Sequence, residues 1–284
     1  VVISDLEFPS GVLAWLSLRP RGVTVRLVPS DAGRVSLESF QSAINENTRV
    51  VCVSDVSYKT GSRLPFLREL SRAAHAAGAI LAVDATQSLG RLPVLLDGVD
   101  FLAASAYKWL LGIHGVGVAY LAPALRERLV PGALGWYSVP DVFTPDRFDH
   151  YDLKPGAGWL TPGMPAFPSI YVLRGSVEFL LDVGVDRIER DLRPLTGALR
   201  EGIASLGFDL LTPADPARAS GIVSFLHPDC DRIGEALKQR GVIVWTGDGR
   251  VRASVHLYND QADVDRFLQS LAAIHWELSC VARS

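Results

Sequence analysis

The sequence predicts an α/β protein: a mostly parallel sheet with flanking helices, followed by a smaller C-terminal α/β domain. Three observations lead there. Short β-branched runs alternate with longer helical patterns up to Leu121, the alternation that builds parallel sheets with helices on both sides. Several of those runs, "AILAVDA" and "FLAASAY" among them, are apolar throughout, as strands covered on both faces must be. After a long irregular tract the alternation resumes near Val185. The 284 residues, 48% of them hydrophobic, suffice for a large core, and we divide the chain into 1–184 and 185–284.

Taken in order, "VVIS" reads as a strand and Gly11 to Leu18 as a helix. "TVRLVPS" is a second strand before the helix "SLESFQSAI". Ser36 is placed there as the N-cap, with Glu38 in the first turn where the helix dipole favours a carboxylate. "RVVCVSD" precedes the amphipathic "LPFLRELSRAAHAAG", closed by Gly78. "AILAVDA", "FLAASAY" and "GVGVAYL" follow as strands. The tract "GWYSVPDVFTPDRFDHYDLKPGAGWLTPGMPAFPS" is rich in Pro, Gly and aromatics, and loops of that length are usually functional or disordered. Its aromatics predict an ordered loop packed on something. A long helical stretch then runs from about Ile170 to Leu206, weakest near "DVGVD". The tail reads as strand "GIVSFLH", a helix over 230–240, strands "VIVW" and "RVRASVHLY", and a helix over 261–274.

Composition removes several classes. A net charge of -3 with interspersed signs offers no basic stripe for nucleic acid and no polybasic patch for a membrane. No apolar run approaches the roughly 20 residues that span a bilayer. Cys52, Cys230 and Cys280 are odd in number and far apart, and the six histidines form no ligand pair, so neither a disulfide framework nor a metal site is expected. These features predict a soluble, cytoplasmic protein. "VVISDLEFPS" opens directly as a buried strand running into a loop, so the expectation is either that the numbering begins inside a longer protein or that the chain is a fragment.

In an open parallel sheet, ligands bind beyond the carboxyl ends of the strands. Three successive strands end in Ser57 and Tyr58, in Asp84 with Gln87, and in Ser105, Tyr107 and Lys108. A hydroxyl, a carboxylate with a carboxamide, and an amine are thereby aimed at one crevice. That set matches the needs of pyridoxal 5′-phosphate: a lysine to condense with its aldehyde, a carboxylate to keep its pyridine nitrogen protonated, and an amide for its phenolic oxygen. Lysine suits the task because its amine sheds a proton readily when desolvated or set beside other cations.

The segment "VDATQSLGRLPV...VDFLAASAYKWLLGIHGVGVAYL" resembles the signature of the class V aminotransferases. This group holds cysteine desulfurases, isopenicillin N epimerase-like enzymes and related carbon–sulfur lyases, and the resemblance extends from the first residue to about Phe267. It implies fold type I, a homodimer, and an amino-acid substrate. It also implies Lys108 as the Schiff-base lysine, Asp84 at the pyridine nitrogen, Gln87 at the phenolic oxygen, and Ser105 and Tyr107 at the phosphate. "LEFPSG" aligns with the loop over the cofactor ring, putting Phe8 where desulfurases usually have histidine. "SYKTG" puts Tyr58 where relatives usually have asparagine. "RVRASVHLYN" resembles the strand whose arginine, here Arg252, binds the substrate carboxylate, a task suited to a planar guanidinium.

Further departures shape the expected reaction. Residues 241–251, "GVIVWTGDGRV", lack the nucleophilic cysteine of desulfurases, and Cys230, at the head of a helix, is expected to be structural. Met164 stands where the neighbouring subunit often lends a threonine, with Thr161 nearby. The family's phosphate-cradling helix N-terminus lies upstream of what corresponds to Val1. The expectation is therefore an epimerase-like or lyase-like enzyme acting at the α-carbon. Alternatives are a cysteine desulfurase or selenocysteine lyase using Cys230 or a cysteine outside these residues, and a non-catalytic module that kept the fold. The aromatic loop from Trp136 to Phe167 is expected to lie against a second subunit.

Overall fold

The computed structural model describes residues 1–281. In chain order the first half runs β1 (Val2–Ser4), α1 (Pro9–Leu16), β2 (Arg26–Val28), α2 (Leu37–Ala43), β3 (Val50–Ser54), α3 (Leu67–Ala76), β4 (Ile80–Asp84), β5 (Phe101–Ser105), β6 (Gly117–Leu121) and α4 (Pro123–Arg126). Its strands form one sheet in the order β2-β1-β3-β4-β5-β6. The first five are parallel, whereas β6 pairs antiparallel with β5. The expectation of a mostly parallel sheet holds, with β6 as the exception. The reason is local: "KWLLGIHG" turns the chain straight back beside β5, leaving no room for the crossover helix a parallel partner needs. As an edge strand, β6 alternates exposed and half-buried residues where the sequence reads as continuously apolar.

Local signals hold at the helix ends. Ser36 takes an extended conformation and its Oγ accepts from Ser39 N at 3.1 Å, capping α2. Gly78, at φ +74°, follows α3. The core beneath the large sheet is built from Val51, Val53, Leu81, Val83 and Leu102, with Phe40 and Leu70 from the helices.

The second half runs α5 (Phe167–Val183), α6 (Val185–Ser205), β7 (Asp209–Leu210), β8 (Ile222–Leu226), α7 (Cys230–Gln239), β9 (Trp245–Gly247), β10 (Arg250–Ser254) and α8 (Gln261–Val281). The long predicted helix is two helices, parted at Gly184 with φ +86°, a backbone that only glycine adopts without strain. The small sheet is antiparallel, in the order β7-β8-β10-β9, and β9 begins at Trp245 rather than at the start of "VIVW". Its core gathers Phe225, Ile233, Leu237, Val251 and Leu271, and reaches back to Ala106 and Leu110 beside the lysine. That shared packing brings β10 up against the ends of the large-sheet strands.

Candidate active site

Asp84 ends β4 in register with Ser54 on β3 and Ala103 on β5, at the carboxyl edge where a parallel sheet presents its ligands. Its Oδ1 accepts from Thr86 N at 2.9 Å, which pins the carboxylate. Thr86 Oγ1 in turn accepts from Ser105 N at 3.1 Å, stitching the β4 turn to the end of β5. Gln87 Oε1 accepts from Trp109 Nε1 at 3.0 Å, leaving the amide NH2 as its remaining polar end.

Lys108 sits in a tight loop after β5. Leu111 N returns to Lys108 O and Gly112 N to Ala106 O. Leu111 is left-handed at φ +56°, and a Cβ on Gly112 would meet Ala106 O at 2.9 Å, so the loop closes only with glycine there. The lysine Nζ lies 5.4 Å from the centroid of the Phe8 ring. Burial, and then the Arg252 cation, hold its amine below the usual lysine range, while Asp84 pulls the other way.

Arg252 reaches this cluster from the small sheet. Its Nη1 donates to Tyr58 O at 2.7 Å, its guanidinium lies 5.1 Å from the Trp245 ring, and its buried Nε has no partner. The Tyr58 ring packs edge-on against Phe8 at 5.0 Å. Arg250 lies over both Tyr58 and Trp245 and pairs with Asp248.

The structure thus gathers Lys108, Asp84, Phe8, Tyr58 and Arg252, with Gln87 tied in through Trp109 and Ser105 through Thr86. Tyr107 is 45% exposed, and its ring packs on His114 at 4.4 Å. The sequence reading missed Trp109 and buried His256 as parts of this framework. His256 Nδ1 accepts from Leu257 N, so the neutral ring carries its proton on Nε2 and donates it to Trp109 O at 2.9 Å. The adjacency of Trp109 to Lys108 was the available signal; His256 gave none. Met164 is exposed, and Cys230 is buried, at 4% exposure, at the head of α7.

A mostly parallel sheet with flanking helices whose strand ends gather lysine, aspartate and glutamine, with an arginine from a second sheet, defines a fold-type I pyridoxal 5′-phosphate enzyme. The Aminotransferase class-V family model matches residues 1–267, and the chain belongs to that family. The chain is 28% identical over 275 residues to an uncharacterized aminotransferase, YcbU, of Bacillus subtilis, an alignment covering 96% of this chain and 72% of that one. It is 30% identical over 297 residues to a probable cysteine desulfurase of Methanothermobacter thermautotrophicus, again covering 96% and 72%. Among solved structures it superposes on the apo cysteine desulfurase of Thermococcus onnurineus NA1 with a TM-score of 0.86 at 27% identity, covering 97% of this chain and 72% of that one.

The residues present fit the family's cofactor. Asp84 commits Oδ1 to Thr86, and its second carboxylate oxygen would be able to accept a pyridine N–H. Gln87, its oxygen held by Trp109, offers an NH2 to an oxygen. Burial and the Arg252 cation lower the basicity of the Lys108 amine, the direction that favours a nucleophilic lysine. No group of three or more metal-ligating side chains occurs among the described residues, and no described helix is long and apolar enough to cross a membrane.

Proposed function

We propose that this chain acts at the α-carbon of an amino acid, with Lys108 and Asp84 as its catalytic residues and Arg252 binding the substrate carboxylate. One observation carries the reading: the half-buried Lys108 amine lies 5.4 Å from the Phe8 ring, with Arg252 lowering and Asp84 raising its basicity. Asp84 and Gln87 would hold the pyridine nitrogen and phenolic oxygen. Phe8 and Tyr58 would flank the ring, and Ser105 and Tyr107 would serve the phosphate. When bound, pyridoxal 5′-phosphate supplies an electron sink for negative charge at the α-carbon. Lys108 takes and returns the α-proton, a role its lowered basicity suits. Arg252 commits Nη1 to Tyr58 O and keeps Nε without a protein partner, so hydrogen-bonding capacity remains on a guanidinium suited to gripping a carboxylate.

Epimerase-like or carbon–sulfur lyase-like chemistry is the finer reading. Phe8 can cover a ring but has no proton to move, and residues 241–251 hold no cysteine. Cys52 is no substitute, since burial pushes its thiol up to about 12, and thiolate is the nucleophile. A desulfurase is the second reading, favoured by the relative bearing that name.

The division at residue 184 and a homodimer belong to the same proposal. Phe143 and Phe148, 81% and 85% exposed, lie in the aromatic loop, and Tyr171 and Leu181 of α5 are exposed as well. Apolar exposure on that scale supports a covered face. Three free cysteines support a reducing, cytoplasmic setting.

The test is to incubate the protein with the cofactor and single L-amino acids, L-cysteine included. Chirality, 2-oxo acid, sulfide and protein-bound persulfide are then measured. Racemisation or sulfide release without persulfide is expected. Persulfide on a cysteine would establish the desulfurase reading, and no turnover of any amino acid would overturn both.

A further inference from the structure

A cavity of about 190 Å³ opens between α6 and residues 212–223, with Arg91 in its wall. Arg91 is 1% exposed, and its Nε and Nη1 are buried without any hydrogen-bond partner. A guanidinium stays charged in a protein, and buried charges are as a rule paired. Burial lowers the basicity of Arg91 to about 10, which leaves it a cation at neutral pH.

The wall offers it no counter-charge within bonding reach. Each lining carboxylate is engaged elsewhere: Glu189 by Arg193 at 2.7 Å, Asp215 by Arg218 at 3.7 Å, Glu201 by Arg200 at 3.8 Å. Glu189 favours the charged form of Arg91 from a distance, opposed by Arg193. The lining hydroxyls of Thr212 and Ser220 donate to Thr60 O and Gly61 O, both at 2.6 Å. Water can take Arg91's hydrogen bonds but not balance its charge.

We propose that this cavity binds a small oxyanion, phosphate or carboxylate, which pairs with Arg91. Arg193 and Arg200 also line the cavity, each offsetting the carboxylate it pairs with, so that Arg91 is the lining cation left to meet an anion. The ligand lies one ring away from the strand-end site. A Cβ on Gly221 would meet both Trp109 Cη2, at 2.8 Å, and Arg91 Nε, at 3.1 Å, so Arg91 and the residue after Lys108 share one face of that glycine. This anion site is independent of the reaction proposed above.

The test is calorimetric and thermal titration with inorganic phosphate and, separately, acetate. Saturating pyridoxal 5′-phosphate is kept present so that its own phosphate locus is filled. Saturable binding of either anion is expected, phosphate alone marking a phosphate-type ligand and acetate alone a carboxylate. Arg91→Met is expected to weaken it roughly 10- to 150-fold. In anion-free buffer the same variant should melt higher, by about 2–4 °C, since it removes an uncompensated buried charge. Binding of neither anion, unchanged affinity in Arg91→Met, or a lower melting point for it would overturn the proposal. If that variant does not fold, Arg200→Gln serves in its place: affinity reduced roughly three- to tenfold is expected, and unchanged affinity would overturn the proposal.

Discussion

Trp109 Nε1 donates a 3.0 Å hydrogen bond to Gln87 Oε1, across 22 residues of chain. The bond does more than join two loops. A carboxamide has a donor end and an acceptor end, and with the acceptor end engaged only the NH2 remains to meet a ligand oxygen. Trp109 is itself held from the other side, its carbonyl accepting from His256 Nε2 at 2.9 Å. The residue after the lysine thus fixes which face of Gln87 is offered, and a residue of the second half fixes Trp109.

Trp109→Phe therefore tests whether Gln87 must be oriented. The ring volume is largely kept while the donor is lost, leaving a buried amide oxygen unsatisfied at about 1–3 kcal/mol. Cofactor affinity, read by absorbance titration, is expected to fall roughly 5- to 150-fold. Affinity equal to the parent's would remove Trp109 from the site.

The parts of this site that were legible in sequence are those written within a few residues of a strand end. Asp84, Gln87, Ser105 and Lys108 could be read because a parallel strand delivers its last residues to one edge whatever lies elsewhere. The Ser36 cap was legible for the same reason, being a contact over three residues. Arg252 was readable only by resemblance: its bond to Tyr58 O closes across 194 residues. The His256 bond to Trp109 spans 147. Arginine is usually a surface residue, and nothing near Arg91 in sequence sets it apart. Its burial depends on α6 and the β7–β8 connection closing over it, which no local pattern encodes. The reversal of β6 was missed because apolar runs announce a strand but not its direction.

The Lys108 amine should titrate below the usual lysine range. The free amine is the reacting form, and burial with Arg252 disfavours the ammonium. In cofactor-free protein, the rate at which acetic anhydride modifies Lys108, followed by peptide mass spectrometry, is expected to climb with pH well before the ordinary value of 10.5. In Arg252→Gln that climb should move to higher pH, because one of the two depressing influences is gone. A rise only near the ordinary value, in both proteins, would show an unperturbed surface amine. Borohydride added to the holo-protein should fix the cofactor on the same peptide, and label on Lys59 instead would overturn the assignment.

Asp55, just past β3, gives the protein a pH-dependent stability of definite sign. Its carboxyl is pushed up to about 7, chiefly by burial and then against Asp84, while Ser88 and Arg63 pull it down; its Oδ1 has no partner. The folded state holds this proton up to about pH 7, whereas the unfolded chain releases it near the ordinary value of 3.8. Stability is therefore expected to fall as pH rises from about 4 to 7 and then to level off with the cost fully incurred. The span corresponds to at most about 4 kcal/mol. Asp55→Asn cannot titrate, so its denaturation midpoint should vary less over that range and exceed the parent's above pH 7. Parallel profiles for the two proteins would rule Asp55 out as the source.

Arg252→Lys separates carboxylate recognition from simple charge. The arginine spends Nη1 on Tyr58 O and lies against the Trp245 ring, which together hold its plane and leave the Nε side without a protein partner. An ammonium keeps the charge but presents no planar fork, and it cannot hold the Tyr58 carbonyl and grip a carboxylate edge at once. Losing a charge-assisted pair in a closed site costs about 2–3 kcal/mol, so the KM for the amino acid is expected to rise roughly 30- to 150-fold. Cofactor affinity should stay near the parent's, because Asp84, Gln87 and Lys108, not Arg252, are the groups assigned to it. Steady-state kinetics beside a cofactor titration read the two effects separately. Parent-like KM for a substrate with a free carboxylate would make Arg252 a structural residue that ties the small sheet to Tyr58. Equal losses of cofactor and substrate affinity would likewise deny it a specific part in carboxylate binding.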